Sequence, residues 1–369
     1  MAPAGTAVHR VSDETETGMS VSVHHPVVII GGGVAGLQVA NLLSDNGFSS
    51  IIVETAQRLG GHVRDWACMA TDQCMRCYCC SVDDLIERAQ TSPRITVFEE
   101  WELVAFFNSQ ENNRRVELRS LSSGDHKTFA CSAVVLAAGF EPYDAAEKGF
   151  LGYGRIPGVL TLQDMDDLLR NDALALAPVG GSSPRRLGFF QCVGSRDSSI
   201  GRNYCSQYCC KAAVRTGLKL LDLHPDWEIT VFYIDLQIAG KYAGKLLSEA
   251  KRRNMRLIQG VPGEIQPGPE NTVEIVRQEK GTSVREQYHG IVLSIGQGPP
   301  ASASLLASIM GIQSDEFGFL AGRNVLDPSR TSVPGVYVAG ACAGPRDIEQ
   351  TLTHAEQTVA AVIADLLTC

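Results

Sequence analysis

The chain has 369 residues, of which 44% are hydrophobic and 20% are charged, and its formal net charge is -9. This length suits two domains and allows a large core to form without disulfide bonds. The negative charge and the absence of a basic stripe argue against nucleic acid as a partner, because phosphate binding needs clustered lysine and arginine. No apolar run reaches the roughly 18 residues of a membrane span, so direct membrane insertion is not expected.

The first 25 residues are polar and lack the apolar core of a signal peptide. We therefore expect residues 1–25 to form a disordered leader and the protein to be cytoplasmic. Neighbouring cysteines suit a disulfide framework poorly, and clustered thiolates in an intracellular protein favour metal or redox sites. Most of the twelve cysteines stand in two groups, Cys68, Cys74, Cys77, Cys79 and Cys80, and Cys192, Cys205, Cys209 and Cys210.

A dinucleotide-binding fingerprint stands near the start of the chain. Residues 27–30 and 50–54 predict two parallel strands around a helix, with Gly31-x-Gly33-x-x-Gly36 at the first turn and Glu54 at the end of the second strand. In this setting Gly31 makes the turn, Gly33 lets a pyrophosphate approach, and Gly36 packs the helix on the strand. Glu54 is expected to bind ribose hydroxyls, and the helix N-terminus to face the phosphates.

The rest of the chain predicts one domain inserted in another. Alternating residues over 94–130 indicate an antiparallel meander, and residues 133–139 a buried strand. A connector rich in Gly and Ser ends near residue 184, and a second αβ unit then runs to residue 289. The chain is expected to return to the first domain at Gly290. The predicted domains are therefore 26–180 with 290–369, and 185–289 inserted between them.

The inserted unit has no second glycine turn for a dinucleotide. After its first strand stands Cys192-Val193-Gly194-Ser195-Arg196-Asp197, so direct binding of NAD(P)H is not expected there. The four cysteines of this region have the spacing Cys-x12-Cys-x3-Cys-Cys. Four thiolates match the ligand count of a cubane iron–sulfur cluster. Zinc would also accept four thiolates, and buried cysteines without a ligand are a further alternative.

Other stretches resemble the FAD-containing glutathione reductase superfamily. Gly60-Gly61 follows the acidic strand end, Ala138-Gly139 stands where the superfamily has Ala-Thr-Gly, and Gly340-Ala341 where it has Gly-Asp. The resemblance implies an α/β, two-dinucleotide-binding-domain flavoprotein, similar to thioredoxin and glutathione reductases, with the second Rossmann-like domain inserted in the FAD domain.

In this superfamily the strand-to-helix junction after residue 334 meets the flavin ring, and the helix N-terminus favours charge on reduced flavin. Because Ala341 replaces the usual aspartate, Asp347 is a candidate for the ribityl contact. The predicted cofactor-binding residues are Gly31, Gly33, Val34, Ala35, Gly36, Glu54, Thr55, Arg58, Gly60, Gly61, His62, Ala138, Gly139, Gly340, Ala341, Asp347 and Ile348.

A narrower resemblance is carried by residues 190–197, by Tyr204-Cys205 with Cys209-Cys210, and by residues 231–235. These stretches resemble the A subunit of heterodisulfide reductase, and the similarity spans about residues 26–367. The resemblance implies two cofactors, FAD and a [4Fe-4S] cluster, but no catalytic acid or nucleophile. The implied ligands of the cluster are Cys192, Cys205, Cys209 and Cys210.

The family implies an electron-transfer subunit with partners similar to the B and C subunits of heterodisulfide reductase (HdrB and HdrC). Since the ferredoxin run Cys-x2-Cys-x2-Cys-x3-Cys-Pro is absent, the chain resembles the compact subunits of heterodisulfide reductase-like complexes in sulfur-oxidising bacteria. It is secondarily similar to flavoprotein subunits of quinone-interacting complexes in sulfate reducers. A role in sulfur metabolism and a homodimer are expected on this basis. The rivals are a stand-alone NAD(P)H-dependent disulfide reductase and a zinc-stabilised scaffold subunit.

Three interpretations remain open for the first cysteine group, Cys68 to Cys80. Cys74 and Cys77 match by position a Cys-x2-Cys of larger family members, whereas Cys79 and Cys80 depart from it. The group can supply a redox disulfide, ligands to a cluster, or reduced accessory thiols.

Overall fold

The structure is a computed structural model that describes residues 25–108, 114–179 and 184–368. Except for its last residue, the predicted leader 1–25 lies outside these ranges, as does part of the predicted connector. Among the described residues, no helix is both long enough and apolar enough to pass through a membrane.

The strands and the α-helices are numbered in chain order. The strands are β1 Val27–Ile30, β2 Ser50–Glu54, β3 Ile95–Glu99, β4 Trp101–Asn108, β5 Arg114–Ser120, β6 His126–Cys131, β7 Ala133–Leu136, β8 Glu141–Pro142, β9 Val159–Thr161, β10 Arg186–Val193, β11 Glu228–Tyr233, β12 Arg256–Gln259, β13 Ile265–Pro267, β14 Val273–Glu279, β15 Thr282–Tyr288, β16 Gly290–Ile295, β17 Gln297–Gly298 and β18 Val336–Val338. The helices are α1 Val34–Asp45, α2 Ser81–Thr91, α3 Leu162–Arg170, α4 Cys209–Leu223, α5 Ala243–Arg252, α6 Ala303–Met310 and α7 Ile348–Thr368.

The first domain is built on a parallel sheet with the strand order β18-β7-β1-β2-β3. Its central strand β1 is the apolar run Val-Val-Ile-Ile, buried at every position because both faces of the sheet are covered. One face packs against α1, α2 and α7. The other packs against α6 and the predicted antiparallel meander, β4-β5-β6. The glycine fingerprint follows β1 at the carboxyl edge of this sheet, where such folds bind ligands.

The second domain is a parallel sheet with the order β12-β11-β10-β16-β9. The sequence interpretation placed β16 and β9 in the first domain, and the strand pairing corrects this. Residues Leu187 to Phe190 of β10 pair with Gly290 to Leu293, and β16 pairs in turn with β9. All six residues of β16 are buried, so it satisfies its backbone between two strands of this sheet. The chain therefore returns to the first domain only after Ile295.

A short two-stranded ladder joins the domains. β8 follows the strand-end motif of the first domain, β17 follows β16, and Gln297 pairs with Pro142 in antiparallel register. Next to it, the Tyr143 N–H donates to the Gly296 carbonyl oxygen at 3.0 Å. This ladder brings the end of β16 beside the carboxyl edge of the first sheet.

Candidate functional site

A cavity of about 530 Å³ opens at the carboxyl edge of the first sheet. This is a usual volume for a cofactor or small-molecule site. All the predicted cofactor-binding residues line it except Gly36 and Gly340. Residues from five separate stretches of the chain thus meet around one cavity.

The glycine turn after β1 has the geometry that close approach requires. Gly31 has φ +111°, and a Cβ atom there would lie 2.3 Å from the Ala137 carbonyl oxygen. A Cβ on Gly36 would lie 1.9 Å from the Gly31 carbonyl oxygen, so Gly36 packs α1 on the turn instead of facing the cavity. At Gly33 the nearest atom would be the Gly61 Cα at 3.9 Å. The backbone of Gly33 is therefore open to a ligand at the N-terminus of α1.

Glu54 is held at the end of β2 by two backbone amides. Its Oε2 accepts the Gly32 N–H at 2.7 Å and its Oε1 accepts the Ala56 N–H at 2.8 Å. These bonds fix the carboxylate at the cavity wall. A carboxylate has about four acceptor positions, so capacity remains for ligand hydroxyls.

The N-terminus of α7 reaches the same cavity through Asp347, Ile348 and Thr351. Oδ1 of Asp347 accepts the Gln350 N–H and the Gln350 side chain accepts the Asp347 N–H, both at 2.9 Å, which is a reciprocal cap. The other carboxylate oxygen, Oδ2, pairs with Lys211 of α4 at 2.5 Å. Both oxygens of Asp347 therefore have partners within the chain, and the residue holds the helix start against the second domain.

Arg346 and Gln297 line the cavity although the sequence interpretation did not include them. The Arg346 guanidinium donates to the carbonyl oxygens of Gly340 and Gly344, each at 2.9 Å, and burial lowers its pKa. Gln297 donates to the Arg346 carbonyl at 3.0 Å and accepts the Arg346 N–H at 2.9 Å. Arg346 stands inside the recognised strand-to-helix junction and could have been included. Gln297 has no comparable signal, because only the ladder between the domains brings it to the cavity.

Two aromatic rings connect the cavity to the second cysteine group. Trp66 lines the cavity, and its ring lies parallel to that of Tyr208, with centroids 6.5 Å apart and an interplanar angle of 10°. The Tyr208 hydroxyl donates to the Ile295 carbonyl oxygen at 2.6 Å, which fixes the ring at the end of β16. Tyr208 immediately precedes Cys209, so this ring pair directly adjoins the cysteine group along the chain.

The four predicted ligand cysteines lie in one region of the second domain. Cys192 is at the end of β10, Cys205 is in the following loop, and Cys209 and Cys210 begin α4. Burial and the nearby thiols of Cys210 and Cys205 raise the pKa of Cys192 to about 11. The Cys209 thiol lowers the pKa of Cys210 to about 7 by hydrogen bonding to its sulfur.

Within the described ranges, no three His, Cys, Asp or Glu side chains converge closely enough to hold a metal ion. The four thiols lie near enough to shift one another's pKa values, but in the described part of the chain they do not form a closed metal centre. Cys192 has φ +63°, and Gln207 in the same loop has φ +62°, a conformation that is uncommon outside glycine and concentrates at functional sites. By number and type the donor set fits a four-iron cluster, which is larger than a single ion and needs more widely spaced sulfurs.

In the second domain, a protein side chain occupies the space at the turn after β10 where a nicotinamide dinucleotide would bind. Gly194 is buried, and a Cβ there would lie 2.1 Å from the Cγ of Tyr143, a side chain that is 3% exposed. Lys148 forms an ion pair with Asp197 in the same loop. A pyrophosphate therefore cannot approach the Gly194 backbone without displacing the Tyr143 ring.

Comparison with known proteins identifies relatives of both sequence and fold. An NAD(P)-binding Rossmann-like domain family matches residues 29–80. The chain is 32% identical over 235 residues to the A subunit of the H(2):CoB-CoM heterodisulfide,ferredoxin reductase of Methanothermobacter marburgensis, covering 62% of this chain and 36% of that protein. It is 25% identical to the A subunit of the ferredoxin:CoB-CoM heterodisulfide reductase of Methanosarcina acetivorans, covering 91% of this chain and 56% of that protein. The chain thus spans about a third to a half of the length of these relatives.

Two solved structures have the same fold. Thioredoxin reductase of T. acidophilum superposes with a TM-score of 0.59 at 17% identity, covering 93% of this chain and 99% of that one. The flavoprotein disulfide reductase RclA of Escherichia coli gives a TM-score of 0.56 at 16% identity, covering 93% and 71%. The predicted fold class and the predicted resemblance are confirmed. The chain is a protein similar to the A subunits of heterodisulfide reductases, with the two-dinucleotide-binding fold of thioredoxin reductase.

Proposed function

We propose that the chain is an FAD-binding oxidoreductase subunit that transfers electrons in a heterodisulfide reductase-like complex. The observation that carries the proposal is the cavity of about 530 Å³, in which the glycine turn, Glu54 and the N-terminus of α7 face one another. FAD supplies the exchange of one or two electrons when it is bound. Each part of the cavity wall can be assigned to one part of the FAD molecule.

The backbone around Gly33 and Gly61 would hold the pyrophosphate, and Glu54 the ribose hydroxyls. The α7 N-terminus would lie toward the ring, where its partial positive charge stabilises an added negative charge. The half-buried Arg346 guanidinium adds a positive charge at the same wall. These groups favour uptake of electrons at the flavin.

A [4Fe-4S] cluster on Cys192, Cys205, Cys209 and Cys210 is the second part of the proposal. Such a cluster supplies one-electron transfer when it is bound. The chain's own contribution is the charge and the path around these thiols. Burial raises the pKa of both Cys192 and Cys205, and the Arg196 guanidinium, which pairs with Asp235, offsets part of this rise. Its positive charge thereby favours the thiolates that a cluster needs. The Trp66 and Tyr208 rings stand between the cavity and this group.

The partners and setting belong to the same proposal. The relatives are named as A subunits of larger reductases, so we expect subunits similar to HdrB and HdrC, and a homodimer of this chain. The clustered thiols favour the cytoplasm, where they stay reduced. A role in sulfur metabolism, through oxidation of thiols or of sulfane sulfur, rests on the resemblance to the compact subunits of sulfur-oxidising bacteria.

A stand-alone NAD(P)H-dependent disulfide reductase is the other candidate. The buried Tyr143 ring at Gly194 disfavours it, because the second dinucleotide turn is filled. Addition of NADH or NADPH alone to the oxidised protein separates the two functions. We expect slow or no flavin bleaching, and rapid bleaching would favour the stand-alone reductase.

Anaerobic purification tests the cofactors directly. The protein should carry flavin absorbance together with broad iron–sulfur absorbance, and elemental analysis should find iron. Zinc without iron would overturn the cluster. Cys205→Ala and Cys209→Ala should lose iron and keep FAD, whereas the matched variant Cys131→Ala, at a buried cysteine outside the group, should keep both.

A further inference from the structure

Cys77 and Cys79, in the loop before α2, have their sulfur atoms in contact. The two Sγ atoms are 3.3 Å apart. Tyr78 between them has φ +62°, a left-handed conformation that a bulky residue rarely adopts. This backbone turns both neighbouring side chains to one side. Since a disulfide bond is about 2.05 Å long, a shift of little more than about 1 Å would join the two sulfurs.

The contact gives the two cysteines different protonation states: Cys77 is a thiolate and Cys79 is a protonated thiol. Hydrogen bonding from Cys79 and the nearby Arg215 guanidinium lower the pKa of Cys77 to about 5. Hydrogen bonding to Cys77 and burial raise the pKa of Cys79. A thiolate such as Cys77 can attack a disulfide, and a neighbouring thiol such as Cys79 can then displace the mixed disulfide and close a disulfide within the protein.

The pair faces the cofactor cavity through a smaller one. Cys77 and Cys79 line a cavity of about 70 Å³. Several of its other wall residues also line the large cavity, so the two spaces share a wall at the α7 end. The shared residues are Trp66, Gln297, Arg346, Asp347 and Ile348.

A carboxyl group and several charges surround the pair. Asp166 of α3 lines the small cavity, and its Oδ1 is buried without a hydrogen-bond partner in the part of the chain that the structure describes. Burial raises the pKa of Asp166 to about 7, so it can accept or release a proton near neutral pH. The other titratable or charged groups that face the pair are Cys68, Cys80, Tyr208, Lys211, Arg215, Arg346 and Asp347.

We propose that Cys77 and Cys79 form a redox-active dithiol that closes to a disulfide and delivers its two electrons toward the cofactor cavity. The Cys77 thiolate and the Cys79 thiol are oxidised together: the Cys79 S–H bond breaks and one S–S bond forms. Two electrons leave for an oxidised flavin, and the Cys79 proton passes to the Asp166 carboxylate. Electron transfer to flavin rests on the proposed function, whereas closure of the disulfide does not.

The pairing differs from the one that the sequence favours by position, Cys74 with Cys77. Cys74 and Cys80 are exposed and line a separate cavity of about 980 Å³ on the side of α5. Cys77 and Cys79 instead face the cofactor cavity. The geometry therefore assigns the disulfide to the Cys-x-Cys pair.

The test is a redox titration of the full-length protein in thiol–disulfide buffers, followed by alkylation and peptide mass analysis. We expect a peptide that contains Cys77 and Cys79, is lighter by two hydrogen atoms and resists alkylation. It should be absent from Cys77→Ser and Cys79→Ser, and should persist in the matched variants Cys80→Ser and Cys68→Ser, which change exposed cysteines. The assay reads the disulfide itself, so it does not depend on flavin content.

Three results would overturn the proposal. They are a disulfide between Cys77 and Cys74, alkylation of both thiols under all oxidising buffers, and loss of iron on replacing Cys77 or Cys79, which would make them ligands. If the disulfide forms in protein that binds no FAD, the dithiol stands and the proposed flavin function fails. If FAD binds and no disulfide forms, the dithiol fails alone. Because Cys79 is buried, Cys77→Ser at the half-buried position keeps the test valid if Cys79→Ser does not fold.

Discussion

The indole ring of Trp66 lies parallel to the phenol ring of Tyr208, with a centroid separation of 6.5 Å. Trp66 belongs to the wall of the cofactor cavity and Tyr208 to the loop that precedes Cys209. The contact therefore joins the proposed flavin site of one domain to the proposed cluster site of the other. On the proposed function, electrons would pass between these sites by way of the two aromatic side chains.

Replacement of the Tyr208 ring tests this connection. Tyr208→Leu should keep FAD and iron but slow electron transfer from reduced flavin to the cluster several-fold, measured by stopped-flow absorbance under anaerobic conditions. The control Tyr208→Phe keeps the ring and loses only the hydrogen bond to Ile295, which should cost about 1 kcal/mol of unfolding free energy. Equal rates in all three proteins would contradict a role for the ring pair.

Gly33→Ala should weaken FAD binding and leave the protein folded. The position has φ -78°, which alanine adopts, and the nearest atom to a new Cβ is 3.9 Å away. The methyl group would occupy the space through which the pyrophosphate approaches the backbone. Equilibrium FAD titration of the apoprotein measures the loss, and thermal unfolding monitors the fold. Gly149→Ala, at another open glycine outside the cavity wall, is the matched control and should bind FAD normally.

Lys211→Met should destabilise the junction between the domains. The Lys211 and Asp347 side chains are 10% and 12% exposed, and the variant leaves the Asp347 carboxylate without its partner. Loss of one member of a buried pair costs about 3–5 kcal/mol, and the residual exposure places the expected loss at the lower end of that range. Urea unfolding measures it. The double variant Lys211→Met with Asp347→Asn should recover part of the loss, and a purely additive result would contradict the pairing.

The reactivity of Cys77 should depend on pH in a distinctive way. With its pKa lowered to about 5, the residue is a thiolate above that value, and its alkylation should stay nearly constant between about pH 6 and pH 8. Alkylation should fall as the pH drops through about 5. Free cysteine in the same buffers provides the comparison, because a thiol with a pKa of about 8.5 should react about ten times faster for each unit of pH in that range. A similar rise at Cys77 would contradict the thiolate.

The buried His354 should make the free energy of unfolding decrease at acidic pH. The buried ring accepts the Gly340 N–H on Nδ1 at 3.0 Å, and burial lowers its pKa to about 4. In the unfolded chain the histidine pKa is about 6.5, so between pH 4 and pH 6.5 the unfolded state binds more protons than the folded state. The contribution of His354 to the free energy of unfolding is therefore complete above about pH 6.5 and is lost as the pH falls toward 4. The expected loss is about 3 kcal/mol across that window. Unfolding of His354→Asn at pH 7 and pH 4.5 checks it, because the variant should lack this part of the pH dependence.

Local sequence determined the first half of the site. A strand, a glycine turn, a helix and an acidic residue form one continuous βαβ unit, so the positions of Gly31, Gly33 and Glu54 follow from residues close in the chain. The motif residues after β7 and before α7 were recognised in the same way. Their convergence on one cavity follows from the parallel order of the first sheet, which brings the carboxyl ends of its strands together.

Tertiary structure decided the features that depend on the second domain. β16 joined the second sheet because its backbone needed partners on both sides, and this placed Gln297 at the cofactor cavity. The identity of the dithiol was likewise out of reach of spacing alone. Cys77 meets Cys79 because Tyr78 takes a left-handed conformation, which the surrounding packing imposes against the local preference of an aromatic residue.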